Sequence, residues 1–125
     1  MERNPADGES IRRDVLQFTP TGDGSKTIYD ARFCEYYHST FGAVQESRHV
    51  FLESGLQYFL NQSRNDRVSI LEAGFGTGLN FLLSAAHCRQ NKISLRYTGI
   101  EGYPLTAALI GQSEYHQYVS KEIWD

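Results

Sequence analysis

The chain has 125 residues, 40% hydrophobic, 13% aromatic and 22% charged, with a formal net charge of −3. This composition suits one globular unit with a real core, and it excludes a disordered tail or a solenoid. The charge gives no global pull toward nucleic acid or membrane, although a local basic patch is compatible with it.

No apolar run approaches the roughly 18–20 residues that span a bilayer. Residues 1–10 lack the apolar centre of a secretory signal and read as a flexible N-terminus. Cys34 and Cys88 belong to no C-x-x-C or Cys/His cluster. Reduced thiols in a cytoplasmic protein, with no metal site and no membrane partner, are the expectation.

Residues 11–62 read as a hairpin followed by a helix that leads into the main sheet. Asp14 to Thr19 and Lys26 to Tyr29 are short runs with β-branched and aromatic residues around a Gly-Asp-Gly tip, which predicts two antiparallel strands. Asp30 to Gly42 is rich in aromatics without a period, and it predicts irregular chain that plugs a core edge or walls a ligand pocket. From Ala43 to Leu60, Val44, Phe51, Leu52, Leu56, Phe59 and Leu60 recur at three- and four-residue steps, the stripe of an amphipathic helix.

Residues 63–125 read as β-α-β-α. Val68 to Ala73 is a buried strand, and a loop with Gly74, Gly76 and Gly78 at alternate positions follows it. A helix runs from Leu79 to about Gln90, and a second strand from Leu95 to Ile100. Pro104 suits the first position of another helix. The tail from Gln112 is weakly helical, with aromatics that look exposed. A crossover of this length makes the two strands parallel and the unit right-handed, and ligands of such sheets sit at the carboxyl ends of the strands.

The glycine spacing selects among ligands. A dinucleotide fingerprint, G-x-G-x-x-G, needs its third glycine at position 79, which is Leu79. The pattern is instead Glu72-x-Gly74-x-Gly76-x-Gly78, which resembles the first motif of the class I S-adenosylmethionine-dependent methyltransferases. Glu101 ends the second strand, where a carboxylate can accept both ribose hydroxyls of an adenosine. Glu72 lies in an apolar strand end and needs partners, either loop N–H groups or a ligand ammonium.

A more specific resemblance joins three strings: Tyr36-Tyr-His-Ser-Thr-Phe-Gly42, Gly42-Ala-Val-Gln-Glu-Ser-Arg-His-Val-Phe-Leu-Glu-Ser-Gly-Leu56, and Leu71-Glu-Ala-Gly-Phe-Gly-Thr-Gly-Leu-Asn-Phe-Leu-Leu83. Together they resemble the N-terminal part of the methyltransferase domain of the MnmC-like tRNA-modifying enzymes. The resemblance implies an α/β fold of the Rossmann-like class I methyltransferase type, truncated here. It implies S-adenosyl-L-methionine as cofactor and a tRNA substrate, methylated on the amine of a wobble 5-aminomethyl(-2-thio)uridine. An FAD-dependent oxidoreductase acting on the same tRNA is the implied partner.

Carried over residue by residue, Glu72, Gly74, Phe75, Gly76, Thr77, Gly78 and Asn80 would line the cofactor. Glu101 would take the ribose, and Glu46 would close the pocket from the upstream helix or stand as an exposed helix carboxylate. The acid expected to face the amine lies beyond Asp125, so no catalytic residue is assigned within the chain. A full domain of this type needs about 200 residues, more than the most common domain size. The chain therefore reads as the front half, in which activity is in doubt. Two other readings stand beside this one. One is an NAD(P)-dependent oxidoreductase; the other is a non-catalytic remnant that self-associates through an exposed sheet edge.

Overall fold

A computed structural model describes residues 15–62 and 65–125. The sequence expectations for residues 1–10 and for the start of the first strand at Asp14 lie outside them. Among the described residues, five strands and a set of helices make a mixed α/β fold in two sheets.

The first sheet is antiparallel and small. β1 (Leu16–Pro20) pairs with β2 (Lys26–Asp30) from Leu16↔Asp30 to Pro20↔Lys26, as the hairpin pattern requires. The aromatic stretch that follows is not wholly irregular. Glu35–Tyr36 forms a two-residue strand, β3, that adds to β2 through Tyr29↔Tyr36.

The hairpin tip serves a second purpose. Its turn residues lie against the start of the next helix and satisfy three of its orphan amides: Ala43 N–H donates to Thr21 Oγ1 (3.1 Å), Val44 N–H to Ser25 Oγ (3.1 Å) and Gln45 N–H to Asp23 Oδ2 (2.8 Å). Gly42, at the N-cap position, has no side chain to do this.

The helix from residue 43 to 62 changes pitch twice. α1 (Ala43–Glu46) passes into a π-helical stretch (Ser47–Gln57), and α2 (Tyr58–Gln62) restores the ordinary turn. Ser54 Oγ donates to the carbonyl of His49, five residues back, in keeping with the wider turn. The wider turn also rotates the apolar stripe. Val44 and Leu56 are buried, but Phe59 is half exposed.

The second sheet is parallel. β4 (Arg67–Ala73) pairs with β5 (Ser94–Ile100) in register from Arg67↔Ser94 to Ala73↔Ile100, and α3 (Leu79–Gln90) crosses between them. α3 joins two apolar cores. Leu79, Leu82 and Leu83 pack with Ala43, Val44 and Tyr115, whereas Cys88 packs with Leu56 and Val68. One face of the sheet, with Leu71 and Ile100 on it, is exposed.

Two sequence expectations change past β5. Pro104 precedes the next helix and does not open it: α4 (Ala107–Gly111) starts after Thr106, whose Oγ1 accepts from Leu109 N–H. A side-chain cap fixes this start, so the favourable φ of proline does not decide it. The tail is a 3-10 turn (Tyr115–Tyr118) and a short helix, α5 (Lys121–Trp124). Its aromatics are not all exposed. Tyr115 is 1% exposed, because it fills the core between α1 and α3.

Candidate functional site

The carboxyl ends of β4 and β5 carry the glycine loop. Gly74, Gly76 and Gly78 all have left-handed backbone, at φ 83, 57 and 77, a region that residues with a Cβ resist. At Gly76 a Cβ would also stand 3.1 Å from the Tyr37 ring. The loop thus bends three times and closes on its neighbours.

The loop's amides are shared between two anchors. Gly74 N–H and Phe75 N–H both donate to the Ile100 carbonyl (2.7 and 3.1 Å), which sews the loop to the end of β5. Gly76 N–H donates to Glu101 Oε2 at 3.0 Å, while Tyr103 N–H donates to Glu101 Oε1 at 3.2 Å. Each oxygen of Glu101 therefore holds one backbone donor and keeps further lone pairs for another partner.

Glu72 is 6% exposed. Its partner is neither of those expected from sequence: Oε2 accepts from Asn80 Nδ2 at 2.6 Å, in the first turn of α3. Glu72 Oε1 and Asn80 Oδ1 are both buried without a donor. The Tyr97 hydroxyl is buried beside them. Burial, and then the Glu72 charge, push its pKa well above the usual tyrosine value. These two acceptors and the Tyr97 hydroxyl all lack partners, and one hydroxyl is a donor too few for both acceptors.

Phe75 packs its ring on β5 and α3. The ring covers Gly99 of β5, where a Cβ would stand 2.3 Å from Phe75 Cδ2, and it meets the rings of Phe81 and Tyr97. Thr77 is 1% exposed, with its hydroxyl 3.4 Å from His38 Nε2. Glu46 is set back from the loop: its Oε1 accepts from Ser39 N–H at 3.2 Å and lies 3.7 Å from His38 Nδ1. It braces the segment before α1.

Sequence reasoning passed over four residues at this site. Tyr37 rests on Gly76, and His38 reaches Thr77. Tyr103 follows Glu101 and packs its ring against Phe33 at 5.5 Å. Arg32 lies over both rings, 4.9 Å from the Tyr103 centroid and 5.4 Å from that of Phe33, while Asp30 grips it through two oxygens. For Arg32, Tyr37 and His38 the only sequence signal was the aromatic density of residues 30–42, which the notion of a pocket wall captured without choosing the residues; Tyr103 read only as part of a turn after Glu101.

The chain as a whole resembles known proteins. No family model matches the chain. The chain is similar to proteins described as tRNA 5-methylaminomethyl-2-thiouridine biosynthesis bifunctional protein MnmC. The relative from Marinobacter nauticus is 40% identical over 86 residues, covering 62% of this chain and 14% of that protein. The relative from Methylobacillus flagellatus is 37% identical over 84 residues, covering 64% and 13%. The relative from Delftia acidovorans is 37% identical over 105 residues, covering 80% and 15%. The chain thus spans roughly one seventh of the length of these relatives. Among solved structures it is similar in fold to MnmC2 from Aquifex aeolicus, with a TM-score of 0.65 and 23% identity, covering 85% of this chain and 39% of that one.

Proposed function

Since this chain is MnmC-like, a homologue of one segment of those tRNA-modification proteins, we propose that it forms the cofactor-binding half of an S-adenosylmethionine-dependent methyltransferase domain. That half is residues 63–125, with residues 11–62 as its flank. The observation that carries the reading is the pair of open, buried acceptors, Glu72 Oε1 and Asn80 Oδ1, beside the first turn of α3. A cofactor α-ammonium supplies the donors they lack. Its carboxylate is favoured at the same helix start by the unsatisfied amides there.

Glu101 suits the ribose hydroxyls with the lone pairs that Gly76 and Tyr103 leave unused. The ring of Tyr103, braced by Arg32 and Phe33, suits the adjoining base. Gly74, Phe75, Gly76, Thr77 and Gly78 approach the ligand through backbone. The cofactor supplies a methyl group on a sulfonium. The residues of this chain bind it, aim it and keep water from its inner side, which is the positioning part of catalysis. The substrate we propose is the amine of a tRNA wobble 5-aminomethyl(-2-thio)uridine, a reading supported by the relatives' part in tRNA 5-methylaminomethyl-2-thiouridine biosynthesis.

Isothermal titration with S-adenosylhomocysteine and with NADH tests the assignment. We expect heat of binding from the first and none from the second. Binding of NADH alone would sink the methyltransferase reading in favour of an oxidoreductase.

A further inference from the structure

We propose that Asp30 and Arg32 are positioning residues for the cofactor's base: the Asp30 carboxylate fixes the Arg32 guanidinium, and the guanidinium fixes the Tyr103 ring on which the base rests. For its ligand readout this rests on the cofactor reading above.

Tyr103 needs such a brace. It lies outside any helix or strand, two residues past Glu101, and is 54% exposed. Its N–H donates to Glu101 Oε1, which holds the main chain but leaves the ring free to turn. A mobile ring must give up rotamer freedom before a base can stack on it. Two side chains from the turn after β2 supply the restraint. Phe33 meets the ring at a centroid distance of 5.5 Å and a tilt of 58°, and the Arg32 guanidinium carbon stands 4.9 Å from the Tyr103 centroid. Simple packing between the two sheets would bury these rings. Both instead stay half exposed, Phe33 at 52%, beside the carboxylate assigned to the ribose.

The brace is itself anchored. Arg32 Nε–H donates to Asp30 Oδ1 at 3.0 Å and Nη2–H to Oδ2 at 2.7 Å, while the Arg32 backbone N–H takes Oδ1 at 3.0 Å. Two parallel bonds of this kind set the plane of a guanidinium as well as its place. Asp30 is 3% exposed and ends the middle strand of the first sheet, paired with Leu16 on one side and Glu35 on the other. The Asp30 charge also offsets that of Arg32. The pair therefore adds no net charge beside the ring, which suits a neutral base better than a phosphate. Neither residue needs to touch the ligand.

The test is titration of S-adenosylhomocysteine into the full chain and into Arg32→Met, Asp30→Asn, Tyr103→Leu and the Arg32→Met/Tyr103→Leu double variant, with NMR of the tyrosine rings in the ligand-free proteins. Arg32→Met and Asp30→Asn should each weaken binding about two- to fivefold, the loss of one cation–π contact. In the Tyr103→Leu background Arg32→Met should cost less than about 1.5-fold, because the ring through which it acts is gone. The Tyr103 ring resonances should shift in both Arg32→Met and Asp30→Asn. Should Asp30→Asn fail to fold, Arg32→Lys takes its place with the same expected loss, since it keeps the charge and loses the fork. Wild-type affinity in Arg32→Met, an undiminished loss in the Tyr103→Leu background, or Tyr103 resonances that stay in place would each overturn the proposal. If the wild type takes up no S-adenosylhomocysteine, the cofactor reading fails by itself, and the ring resonances alone decide whether Asp30 and Arg32 hold Tyr103.

Discussion

Glu101→Gln is predicted to weaken the protein before any ligand is added. In the free chain the two carboxylate oxygens take Gly76 N–H at 3.0 Å and Tyr103 N–H at 3.2 Å. An amide has a single carbonyl oxygen, so one of these backbone donors must face an N–H group. A hydrogen bond to a charged acceptor contributes about 1.5–3 kcal/mol when buried. Glu101 is only half-buried and water can replace part of the loss, which leaves about 1–2 kcal/mol. For 125 residues, an unfolding entropy of about 2.1 cal/mol/K per residue gives a fall in Tm of roughly 4–8 °C. The assay is thermal and urea unfolding followed by circular dichroism without ligand, then titration of S-adenosylhomocysteine into the variant below its new Tm. A ligand-free Tm within about 1 °C of wild type would refute the claim that Glu101 holds the loop in the free protein.

Two further outcomes are expected. Burial works to raise the Asp23 pKa, but hydrogen bonds from Ser25, Gln45 and Thr21 outweigh it and bring the value down from 3.8 to about 2. A carboxylate depressed on folding stabilises above its unfolded value, and that stability is lost as pH falls through about 4 to 2. Because Asp23 is exposed, solvent screening reduces the effect to about 1 kcal/mol. In urea titrations at pH 5 and pH 2.5, Asp23→Asn should lose less stability on acidification than wild type; equal losses would remove Asp23 from the acid transition. Gly99→Ala places a Cβ 2.3 Å from the Phe75 ring and should cost about 1–3 kcal/mol by overpacking. Phe75→Leu in the same chain should recover part of that cost in a double-mutant cycle, and strictly additive losses would show that the ring is not the obstacle.

The elements with strong local periodicity were legible in the sequence. β4 and α3 fall within a residue of their expected bounds, and the parallel pairing follows from the length of the crossover. What escaped depends on partners far away in the chain. Thr21, Asp23 and Ser25 read as turn residues, yet they cap a helix some 20 residues on. Tyr115 looks like a tail aromatic, because its hydrogen-bond acceptor is 89 positions earlier. The π-helical stretch has no signature in a pattern of three- and four-residue steps, which is why Phe59 was placed on the apolar stripe. At the site, the residue types and their order were legible. Their pairing was not: Glu72 with Asn80, and Glu101 with the loop's own amide, are side-chain choices that no spacing specifies.

These pairings bear on how binding at the glycine loop is to be understood. The loop is held by Ile100 O through Gly74 and Phe75, by Glu101 through Gly76, and by His38 near Thr77. All of these contacts are made within the chain itself, so little of the loop's ordering entropy is left to be lost on binding. Preorganisation of this kind means that a substitution at Glu101 acts through two routes, a released loop and a missing ribose contact. The two separate by their ligand-free signature. A released loop lowers the ligand-free Tm in proportion to the lost affinity, whereas a missing ribose contact lowers affinity alone. Glu72 and Asn80 differ from Glu101 in this respect, because each keeps one acceptor without a donor from the chain. Of the residues around the loop, they are the pair whose hydrogen bonding a cationic ligand would complete.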